Sequence, residues 1–220
     1  MPIVDKMHQR FYANYQSPFA RFSEQARSMV NEESVVLHAG CGADSSIGFR
    51  TRARITVGLD LDAWIYRNTD LDLALMGSLC HLPLPDRCFD LVASRWVLEH
   101  MASPDLFFHE IARVLRPGGR LLLLTTNRHH YFALAVRTVP LRAQRWFIQR
   151  VHGKNPDGVF TTYYRANTRR RLRTLAEEVR LVQEQLVMLE APPSILRFNS
   201  FAYLLGVAYE RMVNRFEGMR

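Results

Sequence analysis

The residues of this chain that could do chemistry gather around one glycine turn. The apolar run Val35 to Ala39, VVLHA, feeds into Gly40-Cys41-Gly42. A second run, Ile55 to Leu59, ends at Asp60, eighteen residues beyond Gly42. Apolar runs closed by glycine read as buried strands ending in tight backbone turns. Strand, glycine turn, helix, strand and terminal acid is the plan of a βαβ unit that holds a nucleoside. The glycines admit close backbone approach, and the acid accepts hydrogen bonds from both ribose hydroxyls. Asp60 is placed for that, with Asp62 behind it.

Three histidines lie beyond strand ends. His100 follows the strand read over Phe89 to Ser94. His129 and His130 follow the apolar run Arg120 to Thr126. Strand carboxyl ends border the site in such sheets, so each is a candidate general base, His100 first. A histidine that bonds locally and shapes its loop is the alternative reading. Cys41, Cys80 and Cys88 fit neither a disulfide framework nor a zinc site and read as free thiols; no metal is expected.

The elements that must position these residues follow in order. His8 to Val30 reads as helix, with Ser17 capping and Pro18 at the first helical position. Gly48 to Arg54 has room for about two helical turns. Leu71 to Leu79 holds a short strand, and Phe89 to Ser94 another. Ser103-Pro104-Asp105 opens a helix with Phe107, Ile111, Val114 and Leu115 on its buried stripe, and Arg116-Pro117-Gly118-Gly119 stops it. Arg120 to Thr126 is unbroken apolar, as in parallel strands covered on both faces. The fold class is α/β, a doubly wound, mostly parallel sheet.

Four stretches, in order, resemble the class I S-adenosylmethionine-dependent methyltransferases, in the subgroup with ubiquinone-biosynthesis-type motifs. They are VLHAGCGAD (36–44), GLDLD (58–62), LPLPDRCFDLVASRWVLEHM (82–101) and IARVLRPGGRLLLLTT (111–126). The resemblance implies a Rossmann-like methyltransferase fold and S-adenosyl-L-methionine as cofactor. It implies that Ala39, Gly40 and Gly42 line the methionine moiety, Asp60 holds the ribose and Leu61 packs on adenine. Ser78 and Leu79 would sit at the adenine edge, and Ser94 and Arg95 would face the sulfonium. Where the family usually has acids, this chain has His38 in the methionine loop and Ser78 at the adenine. An NAD enzyme is disfavoured, because Gly40-Cys41-Gly42-Ala43-Asp44-Ser45 lacks the third glycine of the dinucleotide fingerprint.

The chain reads as one domain, 1–220. Residues 1–34 form an N-terminal helical lid, in which Phe11, Tyr12 and Tyr15 could cover the cofactor. Residues 35–126 are the cofactor-binding core. Residues 127–167 read as a helical cap over the acceptor, with helices at Tyr131 to Val139 and Leu141 to His152 and a loop at 153–158. Residues 168–220 add a helix capped by Thr168, a last strand at Leu181 to Leu189 and a C-terminal helix. The acceptor is expected to meet Tyr12, Trp96, His130, Tyr163, Tyr164 and Arg165. The YYRANT stretch resembles bacterial members associated with surface-polysaccharide or glycolipid assembly.

Charge is lopsided. Residues 1–127 carry 13 Arg and Lys against 14 Asp and Glu, and residues 128–220 carry 16 against 7. Arg169, Arg170, Arg171 and Arg173 oppose the dipole at a helix start, which hints at an anionic ligand. The C-terminal helix has apolar residues on two sides, suited to its own core, a lipid surface or a homodimer contact. No run is long enough to cross a membrane and no signal peptide is read, so the expected location is cytoplasmic, at most peripheral to the inner membrane. The expected activity is methyl transfer to oxygen or nitrogen of a sugar, glycolipid or secondary metabolite. The alternative is a silent methyltransferase fold that binds an anionic membrane surface or nucleic acid. Nucleic acid is the weaker branch, since no interleaved aromatics are evident.

Overall fold

In the computed structural model the described residues are 2–43, 46–130, 160–189 and 192–215, with isolated positions between 133 and 150. Helices α1 (Pro2–Phe11), α2 (Pro18–Ser28), α3 (Pro104–Val114), α4 (Arg169–Glu178) and α5 (Ser200–Arg215) accompany five strands. These are β1 (Val35–Ala39), β2 (Ile55–Asp60), β3 (Leu73–Met76), β4 (Phe89–Arg95) and β5 (Leu115–Leu124). The chain divides into two compact units, residues 23–184 and residues 1–22 with 185–220.

In the first unit all strand pairs are parallel, in the order β3-β2-β1-β4-β5. The chain leaves β1 toward β2 and β3, then returns to β4 on the other side. In open α/β sheets ligands bind at such a reversal, which here falls at the carboxyl ends of β1 and β4. The expected doubly wound class is borne out.

The core explains why these segments take these forms. Leu37, Ala39, Val57, Leu59 and Val92 pack with Phe107, Ile111 and Val114 of α3 and Leu175 of α4. Each of these side chains other than Ala39 contributes ~1.5–3 kcal/mol when fully buried. Pro104 opens α3, and Thr168 caps α4 by accepting from the Arg171 amide at 3.2 Å. The Arg113 guanidinium bonds both Glu110 oxygens, Asp86 and the carbonyls of Leu82 and Leu84, and so fastens the 82–86 turn to α3.

Several boundaries differ from the sequence reading. The N-terminal helix is two helices, parted by the Tyr12–Asn14 turn and restarted where Ser17 Oγ accepts from the Ala20 amide at 3.1 Å. No helix forms over 48–54. Instead the buried Asp70 carboxylate accepts from the successive amides of Gly48, Phe49 and Arg50, all at 2.9 Å, and holds this stretch as turns. β5 begins at Leu115, and the Arg-Pro-Gly-Gly stretch is absorbed as an irregularity where Phe89 pairs with Leu115 but Leu91 with Arg120. Residues 181–189 form no strand; β4 is β5's only sheet partner among the described residues, and Val182 is left 88% exposed. Most of the helices and loop read over 131–158 lie outside the described residues, as do Asp44 and Ser45.

In the second unit α1 packs on α5. Val4, Tyr203 and Val207 are buried together. His8 Nδ1 lies 2.7 Å from the Tyr203 hydroxyl, and the Tyr12 hydroxyl donates to Glu210 at 3.0 Å. Asp5 and Arg197 form an ion pair, and Arg211 stacks over Phe11.

Candidate functional site at the carboxyl edge of the sheet

The glycine loop leaves β1 with Gly40 at φ 69° and Gly42 at φ 54°. Both lie in the left-handed region that side chains other than glycine disfavour. At Gly40 a Cβ would also stand 2.2 Å from a Val97 methyl, so the loops after β1 and β4 touch here. Gly42 is pinned from both sides. Its amide donates to Asp60 Oδ2 at 2.8 Å, and its carbonyl accepts from Asn68 Nδ2 at 3.1 Å. Asp60 Oδ1 accepts from the Asp62 amide at 2.9 Å. A carboxylate offers about four acceptor positions, so capacity remains for further donors. A Cβ on Gly42 would meet nothing within 4 Å, and Leu61 is 75% exposed beside Asp60. Cys41, between the glycines, is buried. Burial, then the charge of Asp60, pushes its thiol up to about 12, so it is neither nucleophile nor ligand at neutral pH.

His38 lies one residue inside the strand, paired with Gly58 and Ala93, its buried ring edge-on to Phe49 at 5.7 Å. Ala39 is also buried. Ser78 accepts from the Cys80 amide at 3.2 Å, while Leu79 faces the core. Ser94 is buried at the end of β4. Arg95 follows, with its guanidinium 4.9 Å above the ring of Trp96. Trp96 is half exposed and takes a left-handed φ of 53°, its amide fixed on the Leu124 carbonyl at 2.7 Å. Such a conformation costs ~1–3 kcal/mol in a non-glycine residue and persists where the surroundings hold it.

A buried carboxylate that sequence reasoning passed over organises the next turn. Glu99 is 4% exposed and accepts from the hydroxyls of Thr125 and Thr126, at 2.8 and 3.2 Å. Asn167 donates to Thr125 Oγ1 at 2.6 Å and to the Thr126 carbonyl at 3.0 Å. The Glu99 carbonyl accepts from the amides of Tyr163 and Tyr164. One acid thus joins the turn after β4, the end of β5 and the 160–167 segment. The signal was present: a lone acid in VLEHM, and a Thr-Thr pair ending the next strand.

His100 belongs to that turn. Its Nδ1 lies 2.9 Å from the Thr161 carbonyl, which can only accept, so Nδ1 carries the proton. In the neutral ring Nε2 is then the basic nitrogen. Arg165 donates to the Ala102 carbonyl at 2.6 Å and lies over the Tyr163 ring. Tyr163 and Arg165 are exposed, while Tyr164 is buried with a φ of 50°. His100, Tyr163, Tyr164 and Arg165, far apart in sequence, therefore meet along residues 98–102. His129 and His130 sit on the turn after β5, their amides on the Asn127 side chain and carbonyl. Tyr12 belongs to the other unit, where its hydroxyl is engaged by Glu210.

Comparison with known proteins agrees with this geometry. Residues 37–123 match the family described as methyltransferase domain. A probable S-adenosylmethionine-dependent methyltransferase from Mycolicibacterium smegmatis is 39% identical over 99 residues, which is 42% of this chain and 38% of that protein. A malonyl-[acyl-carrier protein] O-methyltransferase from Herminiimonas arsenicoxydans is 32% identical over 141 residues, 57% of this chain and 54% of that protein. The matched part thus spans about half or less of these relatives' length. The YcgJ protein of Bacillus subtilis superposes with a TM-score of 0.59 at 17% identity, over 86% of this chain and 82% of that one, a likeness of fold. Residues 37–123 are thus similar to a methyltransferase domain, and the relatives that share this stretch include S-adenosylmethionine-dependent methyltransferases.

The residues present fit such a cofactor. Asp60 keeps acceptor capacity at the strand end, Gly42 leaves open space above the loop, and Leu61 offers exposed apolar surface next to Asp60.

Proposed function

We propose that the protein transfers a methyl group from S-adenosylmethionine to an oxygen or nitrogen of a small molecule, in the sugar, glycolipid or secondary-metabolite class. The observation that carries this reading is the Gly42 clamp, in which Asp60 and Asn68 fix the peptide of a glycine that leaves room above it. Ala39, Gly40 and Gly42 are assigned to the methionine end, with His38 beneath them. Asp60 and Leu61 are assigned to ribose and adenine, Ser78 and Leu79 to the adenine edge, and Ser94 and Arg95 to the sulfonium side.

When bound, the cofactor supplies a methyl group already activated by the sulfonium charge. The chain's own residues then have to align the acceptor and exclude water. Trp96, Tyr163, Tyr164, Arg165 and His130 are assigned to the acceptor. Where the acceptor must lose a proton, Nε2 of His100 takes it; His129 and His130 are the reserve candidates. An oxygen acceptor agrees with the O-methyltransferase named among the relatives. The basic second part of the chain suits an anionic acceptor or an anionic surface.

The test is release of S-adenosylhomocysteine when sugar, glycolipid and acyl-thioester acceptors are offered in turn. Turnover with one class, lowered by His100→Asn, supports the assignment. Cofactor binding without turnover on any acceptor would leave a silent fold and sink the enzymatic reading.

A further inference from the structure

Helix α5 is apolar on two sides, and its own unit covers one of them. Tyr203 and Val207 are buried against Val4, with Met7 and Phe11 beside them. Gly206 lies so close to Pro193 that a Cβ would fall 2.5 Å from that ring. The other side carries Phe201, Leu204, Leu205, Ala208 and Met212, all exposed, with Phe201 at 71% and Leu205 at 57%. Their spacing sets them in one stripe along the helix, and exposed Phe198 prolongs it from the preceding turn. A continuous apolar stripe of this kind marks an interaction surface.

The charges around the stripe say what covers it. The remaining exposed positions of α5, among those whose side chains are described, are Ser200, Arg211 and Arg215. The helix has one acid, Glu210, and it turns to α1, where it accepts the Tyr12 hydroxyl. The outer face is therefore apolar with no described acid on it, and it is flanked by exposed Arg215 and by exposed Arg211, whose guanidinium lies over Phe11 of α1. Helix α1 adds exposed Lys6 and Arg10 to the same unit, and its exposed Asp5 is paired with Arg197.

We propose that α5 docks on an anionic lipid surface, its Phe201–Met212 stripe in the headgroup boundary and the arginines that flank the stripe at the lipid phosphates. Sixteen residues of helix span roughly 24 Å, short of the ~30 Å hydrocarbon core, so the helix lies on the membrane and does not cross it. A second copy of the chain is the poorer occupant. Paired antiparallel, the arginines of each copy would meet the Phe198–Leu205 end of the other, where no described acid receives them. This inference deepens the reading of an anionic partner for the basic second part, and it does not depend on turnover.

The experiment is co-sedimentation of the full chain with vesicles of phosphatidylcholine alone or mixed with phosphatidylglycerol. The expected result is binding to the anionic vesicles only, weakened by raised salt and weakened about tenfold or more in the Phe201→Ser, Leu205→Ser double variant. Both side chains are exposed, so the thermal melt of that variant should match the parent. As an independent measurement, Phe201→Trp should show a blue-shifted fluorescence increment over the parent when anionic vesicles are added. No binding of the parent to anionic vesicles, equal binding by the double variant, or a parent dimer that the double variant dissociates would each overturn the proposal. Cofactor titration on the same samples separates the two readings, since failure at the vesicle leaves binding of S-adenosylmethionine untouched.

Discussion

Asp60 Oδ2 stands 2.8 Å from the Gly42 amide, so the residue that closes β2 also fixes the turn that closes β1. The same carboxylate takes the Asp62 amide through its other oxygen, and Asn68 holds the far side of the Gly42 peptide. The glycine loop is thereby held by side chains from the next two connections, in place of the helix that was expected over residues 48–54.

Asn68→Ala removes one neutral hydrogen bond from that clamp, worth about 0.5–1.5 kcal/mol. Affinity for S-adenosylmethionine should fall roughly two- to tenfold. Titration calorimetry on the variant checks this. Unchanged affinity would mean that Asn68 serves the fold and not the loop.

Glu99→Ala leaves the Thr125 and Thr126 hydroxyls without their buried acceptor. The expected destabilisation is about 1–3 kcal/mol, read from denaturant unfolding. A midpoint equal to the parent's would remove Glu99 from its place as the organiser of the turn.

Cys41 should resist alkylation at pH 8 in the folded protein and react fully once unfolded, because its thiol is held up to about 12 by burial and by Asp60. Mass spectrometry of iodoacetamide-treated protein reads this directly. Prompt labelling of Cys41 under native conditions would contradict the closed loop.

Arg113 holds the Glu110 carboxyl below its ordinary value of 4.5. The folded pKa is the lower one, so the pair's contribution is fully present above the unfolded value and is lost as pH falls through the folded one. The gap in melting temperature between the parent and Glu110→Gln should therefore narrow as pH drops from 6 into the region below 4.5. A gap that stays constant would place the effect in packing.

Much of the sheet was legible because buried parallel strands are written as continuous apolar runs bounded by glycine or an acid. Val35 to Ala39 and Ile55 to Asp60 needed no other signal. Residues 48–54 and 181–189 misled for opposite reasons. The first could hold turns of helix by composition, but Asp70, more than fifteen residues later in the chain, captures its amides. The second has strand composition, yet the described sheet has no partner for it. The pairing of Asp60 with the glycine turn was readable from spacing. Asn68 and Glu99 were not, because a single amide or acid in a connection acquires its role only through what the fold brings beside it. The meeting of His100 with Tyr163 to Arg165 is of the same kind.

The central claim is that Asp60 and the glycine loop hold S-adenosylmethionine, and calorimetric titration of the full chain with that cofactor tests it most directly. The account predicts one saturable site, weakened at least about tenfold by Asp60→Ala through loss of hydrogen bonds to a charged group. Correctly folded protein that shows no binding, or an Asp60→Ala variant that binds as tightly as the parent, would contradict it.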